Sequence, residues 1–223
     1  MYIGTLDDLN VIHDSSGYNH NGTIVGAVGS STDTRRYDSC KTFVNGSHIY
    51  VNEKPNVCLP KDAITVNGWF KHSAWPNPIS CTEGGGWNFE SASGYVQFPL
   101  YVSGVGYKVA KSDITIASLA NAWHMITGTF DRTNVKIYID GVLRTTTPTD
   151  STNGIGYANN YLFIGAEAQG NTTTPANSGY VGNISDIRIY CTALDADDIM
   201  ELYNTSAAVD KSGNVYAREV IEV

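Results

Sequence analysis

Cations are in short supply in this chain. Its 223 residues include 14 lysines and arginines against 22 aspartates and glutamates, for a formal net charge of −8. Nucleic-acid binding needs clustered Lys and Arg to neutralise phosphates, and no such cluster occurs, so that class of partner is not expected. Long apolar runs are also missing. Nowhere do roughly 18 apolar residues follow one another, and the start, MYIGTLDDLN, has no basic segment ahead of an apolar one. Neither membrane insertion nor a signal peptide is expected in this chain; secretion would need another route or a longer parent chain. Cysteine is sparse: Cys40, Cys58, Cys81 and Cys191 are widely spaced and form no C-x-x-C pair, which argues against a zinc or thioredoxin-type site. Free thiols are the expectation, with a Cys40–Cys58 bridge as the alternative in an extracellular setting. Catalytic patterns are absent as well. There is no G-x-S-x-G, the histidines at 13, 20, 48, 72 and 124 are scattered, and no strand carries the alternating carboxylates of a retaining glycosidase. The chain is not expected to be an enzyme.

What is present is turn chemistry and two-residue alternation. The stretch WHMITGTFDRTNVKIYIDGVLRTTT, from Trp123, alternates through Phe130, turns at Asp131 to Asn134, restarts at Val135, and turns again at Asp140-Gly141. An Asp-Gly pair suits a tight hairpin, where positive φ is needed, so three antiparallel strands are predicted here. Asn45-Gly46 predicts a hairpin between Cys40–Val44 and His48–Val51. The run AITVNGWFKHSAW predicts a long central strand with one buried face. Gly84-Gly85-Gly86 predicts a mobile or sharply turning loop. Strands are further expected at Thr23–Val28, Trp87–Ser91, Tyr95–Val102, Gly106–Ala110, Tyr161–Ala166 and Tyr180–Tyr190. Only one helix is predicted, capped by Asp195, with Ile199, Leu202 and Tyr203 on one face. A strand is expected at Val215–Ile221. About twelve strands with one late helix mean an all-β, two-sheet antiparallel jelly-roll sandwich with one short C-terminal helix. Residues 1–205 are expected to form the domain and 206–223 a C-terminal extension.

Sugar binding calls for an aromatic platform for C–H faces, with amides or carboxylates for hydroxyls. Trp75, Trp87, Tyr95, Tyr101 and Tyr107 lie in or beside the Gly- and Pro-rich region, with Asn77, Glu83, Asn88 and Gln97 nearby. The carbohydrate-binding candidates are Trp75, Trp87, Tyr95, Glu83 and Asn88. The competing expectation is that the tryptophans fill the core, as Trp69 and Trp123 are expected to do.

Three blocks carry a family resemblance: DSSGYNHNGTIVG, the WHMITGTF…RTTT stretch, and YLFIGAEA followed by GYVGNISDIRIYCTALDADDIMELY. Together they resemble the laminin-G-like, concanavalin A-like jelly-roll superfamily, including its pentraxin branch. The tail, with NTSA and then G-N-V-Y-A-R-E-x-x-E, resembles tail-associated structural proteins of phages and prophages. These resemblances imply glycan or host-surface adhesion, with other virion proteins as possible partners, or a purely structural decoration or assembly module. They also imply a calcium site in which Asp14, Asn19, Asn21 and Gly22 of the front loop meet Asp186 of the last strand, since calcium takes six to eight hard oxygens. The alternative is that Asp186 faces solvent or pairs with Arg188, and that Asp14 caps a turn. A pentraxin-like second site would use Glu167-Ala168-Gln169, but Ala168 offers no side-chain oxygen, so Glu167 is read as a loop carboxylate.

Overall fold

The computed structural model describes residues 11–33, 40–51, 60–158 and 161–207. The expected strand at Val215–Ile221, the phage-like tail motif and Cys58 lie outside the described residues. Strands β1 (Val11–Ile12), β2 (Gly22–Val25), β5 (His48–Val51), β14 (Leu162–Ile164), β7 (Ile79–Cys81), β8 (Trp87–Ala92), β9 (Tyr95–Val102) and β10 (Gly106–Thr115) form one antiparallel sheet in that order. The second sheet runs β13 (Val142–Pro148), β12 (Asn134–Ile139), β11 (His124–Phe130), β6 (Ile64–Ala74), β15 (Val181–Tyr190), β4 (Cys40–Phe43) and β3 (Gly29–Ser31). The two-sheet sandwich is the expected fold.

One face of each sheet turns inward, because side chains alternate along a strand. On β8 and β9 this places Trp87, Phe89, Val96, Phe98 and Leu100 in a single core with Ile64, Val66, Phe70, Ile126, Ile137 and Ile187 of the opposite sheet. Phe98 needs a hole to enter: a Cβ on Gly128 of β11 would lie 2.5 Å from its ring, so only glycine fits beneath it. At one edge the sheets are stitched by side chains, Thr147 Oγ1 donating to Val109 O at 2.9 Å and Thr145 Oγ1 donating to Lys111 O.

The predicted meander is present: β11, β12 and β13 pair consecutively, and Asp140 and Gly141 both have positive φ. The helix, here α2 (Ala196–Ala207), starts where expected, with Asp195 Oδ1 accepting from the backbone N–H of Asp197 and Asp198, each at 2.9 Å. Its Ile199, Leu202 and Tyr203 cover Trp69, Met125 and Tyr138 on the outer face of the seven-stranded sheet.

Four expectations need correction. Asn45-Gly46 is not a hairpin turn: β4 and β5 belong to opposite sheets, so the chain crosses the sandwich there. The long strand β6 is buried on both faces over Ile64–Phe70, because α2 covers what would otherwise be its solvent side. Trp123 is only partly buried and packs beside this second cluster, its indole N–H donating to Asp33 Oδ1 at 3.2 Å. A further one-turn helix, α1 (Ile116–Leu119), follows β10, with Thr115 as its N-cap accepting from Ser118 N. No alternation marks so short a turn. Cys40, Cys81 and Cys191 are free thiols.

A candidate glycan-facing surface on the eight-stranded sheet

The alternation that buries Trp87 and Phe89 turns Asn88 and Glu90 outward. Registers carry that outer face across the sheet. Tyr50 stands opposite Phe163, Phe163 opposite Ser80, and Ser80 opposite Asn88. One row further along, Glu90 stands opposite Gln97 and Gln97 opposite Lys111, and beyond them Tyr101 stands opposite Tyr107. The face therefore has two halves. On β5 and β14 it is aromatic: Tyr50 meets Tyr161 edge to face at 6.2 Å and Phe163 at 6.3 Å, and buried His48 lies on Phe163 at 5.6 Å. On β7 to β10 it is acidic and amide-rich.

The polar half is wired internally. Asn88 Nδ2 donates to Glu90 Oε2 at 3.2 Å and reaches Asn77 Oδ1 at 3.5 Å, and Asn77 hydrogen-bonds Glu167. Glu167 is brought in by the segment after β14, where Gly165 N donates to Pro78 O and Ala168 N donates to Ser80 Oγ. Burial pushes the Glu167 carboxyl up from its ordinary value, and the negative charges of Glu83 and Glu90 push it further, against the Asn77 hydrogen bond. At the rim, Tyr107 Oη donates to Gly85 O at 3.1 Å and accepts from Gly85 N at 3.2 Å. Burial, followed by the nearby acids Glu83 and Glu90, raises the Tyr107 phenol despite its bond to Gly85. The loop that carries Glu83 turns sharply at Gly86, whose φ is +74° and where a Cβ would fall 1.8 Å from Cys81 O. No other residue can hold that corner.

This arrangement divides the sequence candidates for sugar binding. Trp87 is fully buried and Trp75 is 5% exposed, so neither can be a platform. Trp87 packs near Phe98, and Trp75 fills the sandwich end against Phe70 at 5.3 Å and His72 at 4.9 Å. A bulky apolar ring on an inward register position gains more from burial than from exposure, which is why the core reading prevails. Tyr95 is half-buried under Lys111, whose Nζ lies 4.6 Å from the ring centroid. Asn88 is 2% exposed, while Glu83 is exposed at the rim. The structure thus brings Asn77, Glu83, Asn88, Gln97, Tyr101 and Tyr107 to one face and removes both tryptophans from it. Sequence reasoning missed Glu90, Tyr50, Tyr161 and Phe163, and set Glu167 aside. Their signal was the alternation itself, with Glu90 two residues from Asn88 and Phe163 between two core residues.

The calcium candidates lie on different sheets and each acid has partners within the chain. Asp14 follows β1 at the border of the eight-stranded sheet, whereas Asp186 lies inside the seven-stranded one. Asp14 caps the loop: its carboxylate accepts from Ser16 N at 3.0 Å, Ser16 Oγ at 2.6 Å and His20 N at 3.0 Å, and Asn21 Oδ1 accepts from Asp14 N at 2.9 Å. Burial raises this carboxyl, but the bonds from Ser16 and His20 outweigh it and hold it below the ordinary value. Asn19 is exposed with φ of 60°, and Gly22 is a strand residue paired with Ile12 and Val51. Asp186 sits at a bulge in β15 with its carboxylate gripped by Arg188, Nε to Oδ1 at 2.7 Å and Nη2 to Oδ2 at 3.1 Å. Burial works against the charge on Arg188, but Asp186 more than compensates and raises the guanidinium further. A cation is already in place at Asp186, and N–H and O–H donors already face Asp14, so these residues do not fit calcium. Among the described residues no group of three His, Cys, Asp or Glu is close enough to hold a metal ion.

Similar solved structures include botulinum neurotoxin type C, whose cell entry is described as dependent upon interaction with two ganglioside molecules, at TM-score 0.68 and 21% identity over 87% of this chain and 48% of that one. The binding domain of paraclostridial mosquitocidal protein 1 matches at TM-score 0.67 and 16% identity, over 88% and 52%. The binding domain of botulinum neurotoxin DC, solved in complex with SialylT, matches at TM-score 0.67 and 19% identity, over 87% and 48%. The chain spans about half the length of these proteins, and at such identities the likeness is one of fold. No curated protein matches in sequence. A laminin-G family model, described as the Concanavalin A-like lectin/glucanases superfamily, matches residues 43–200, and with the two-sheet sandwich in view the chain belongs to that superfamily.

Proposed function

We propose that this protein is a non-enzymatic binding domain that engages glycans on a cell surface through the outer face of its eight-stranded sheet. The observation that carries this reading is the combination at one outer face of carboxylates, amides and tyrosines: exposed Glu83 and Tyr107 at the rim, half-buried Glu90, Glu167 and Tyr101, and buried Asn77 behind them. Carboxylates and amides bond sugar hydroxyls, and tyrosine rings accept the apolar faces of the pyranose. Support also comes from the shared fold with toxin binding domains, one of which is described through gangliosides and one of which is bound to rat synaptotagmin II. Placement on a phage or prophage particle is the finer form of this reading, and it rests on the tail motif alone.

A glycan array tests the proposal. Binding to a defined subset of sugars, lost in Tyr101→Ala and Glu90→Ala variants that keep the parent melting temperature, is the expected result; an array with no signal would count against it. The second reading, an assembly module, is favoured by Val142 and Leu143, which are 44% and 45% exposed side by side on the edge strand β13.

A further inference from the structure

We infer that the acidic half of this face selects saccharides carrying a protonated amine, as in de-N-acetylated hexosamine oligomers, and disfavours sialylated ones. The inference rests on the glycan-binding reading above and adds the charge of the ligand. The amide N–H groups of this half are spent internally, Asn88 on Glu90 and Asn77, and Asn77 on Glu167. Asn88 Oδ1, by contrast, is buried without a hydrogen-bond partner, in an amide group held between Glu90 and Asn77. A buried acceptor left unmade is costly, so a donor that reaches this amide is favoured there, and neither Glu90 nor Asn77 supplies one. The carboxylates beside it are acceptors too. A ligand suited to the site must bring N–H or O–H groups.

Charge narrows the choice. Glu83 and Glu90 both act on half-buried Glu167, and both act on Tyr107, so negative charge accumulates on one side of the face. Lys111 stands on this face opposite Gln97, but its ammonium lies over the Tyr95 ring. An alkylammonium supplies three donors and one positive charge in a single group. A sialyl carboxylate supplies neither and adds like-charge repulsion. No described acid cluster has metal-holding geometry, which leaves an organic cation as the better match. Tyr101 and Tyr107, with centroids 5.1 Å apart, flank the acids and offer ring surface for the sugar that carries the amine.

Calorimetric titration with three probes tests this: a glucosamine trimer, its fully N-acetylated counterpart and sialyllactose, at pH 7 and low salt. The glucosamine trimer is expected to bind about 10-fold tighter than the acetylated trimer, one decade being a modest electrostatic gain, with sialyllactose weakest. A Glu90→Gln/Glu167→Gln variant, checked for an unchanged fold by its melting curve, is expected to weaken the glucosamine trimer about 10-fold more than it weakens the acetylated trimer, and equal weakening of both would overturn the charge selection. Equal or tighter binding of sialyllactose would overturn the charge selection and leave the face a glycan site. Absence of binding by all three probes, joined to a silent glycan array, would remove the underlying reading as well.

Discussion

The two sheets treat their outer faces differently. On the seven-stranded sheet, α2 lays Ile199, Leu202 and Tyr203 over Trp69, and Asp186 is paired with Arg188. On the eight-stranded sheet no helix among the described residues covers the outer face: Phe163 packs with Ala166 and Ala168, Asn88 and Gln97 are buried, and Glu83 and Tyr107 stay exposed. A face that is covered can place a tryptophan outward from the core and still bury it. A face covered only in part keeps carboxylates and phenols at its rim, and those are the groups available to a ligand.

Perturbing each face should separate stability from binding. The largest effect is expected at Trp69→Ala, which removes the ring stacked on Tyr203 at 5.6 Å; a loss of about 4 kcal/mol in chemical denaturation is expected, as for other buried aromatic truncations, with α2 loosened. Next, Arg188→Ala takes the guanidinium from a carboxylate whose side chain is wholly buried, at an expected cost of about 3 kcal/mol by the same measurement. If either change instead abolished glycan binding at unchanged stability, the division between the faces would be wrong.

Smaller effects belong to the open face. Tyr107→Phe removes both contacts to Gly85 and is expected to cost about 1 kcal/mol, because a net hydrogen bond to a half-exposed loop contributes little. Glu167 gives a pH signature. Its folded pKa is raised, so the group favours the folded state most below its unfolded value and loses that contribution as pH rises through the folded value. Glu167→Gln is therefore expected to stabilise the protein near neutral pH, by only about 0.3 kcal/mol because the group is partly solvated, and to flatten the stability profile over the weakly acidic range in thermal melts. The smallest effect is expected from chelation: EDTA should move the melting temperature by less than about 1 °C, since Asp14 and Asp186 already have protein partners. A large drop in EDTA would restore the calcium proposal and require Asp14 or Asp186 to exchange its present partners.

Much of this molecule could be read locally. Asp131 to Asn134 and Asp140-Gly141 announce their turns because positive φ and side-chain capping are properties of a few adjacent residues. Asp195 announces its helix for the same reason, its carboxylate reaching amides only two and three residues ahead. Asn45-Gly46 misled because a turn-prone pair bends the chain equally well within a sheet or between two. Trp75 and Trp87 misled because alternation tells which side chains share a face and not which face is inside.

The sequence by itself determined the strands, their alternation, the late helix and the negative charge, all of which follow from backbone preferences and composition over short spans. Only the tertiary structure decided that Asp186 meets Arg188, that Asn88, Glu90 and Glu167 converge across β8 and the segment after β14, and that a helix covers one outer face while the other keeps its acids and tyrosines at a partly exposed rim. Those outcomes depend on which distant segments come together when two sheets close on a common core, and no local property of the residues fixes that.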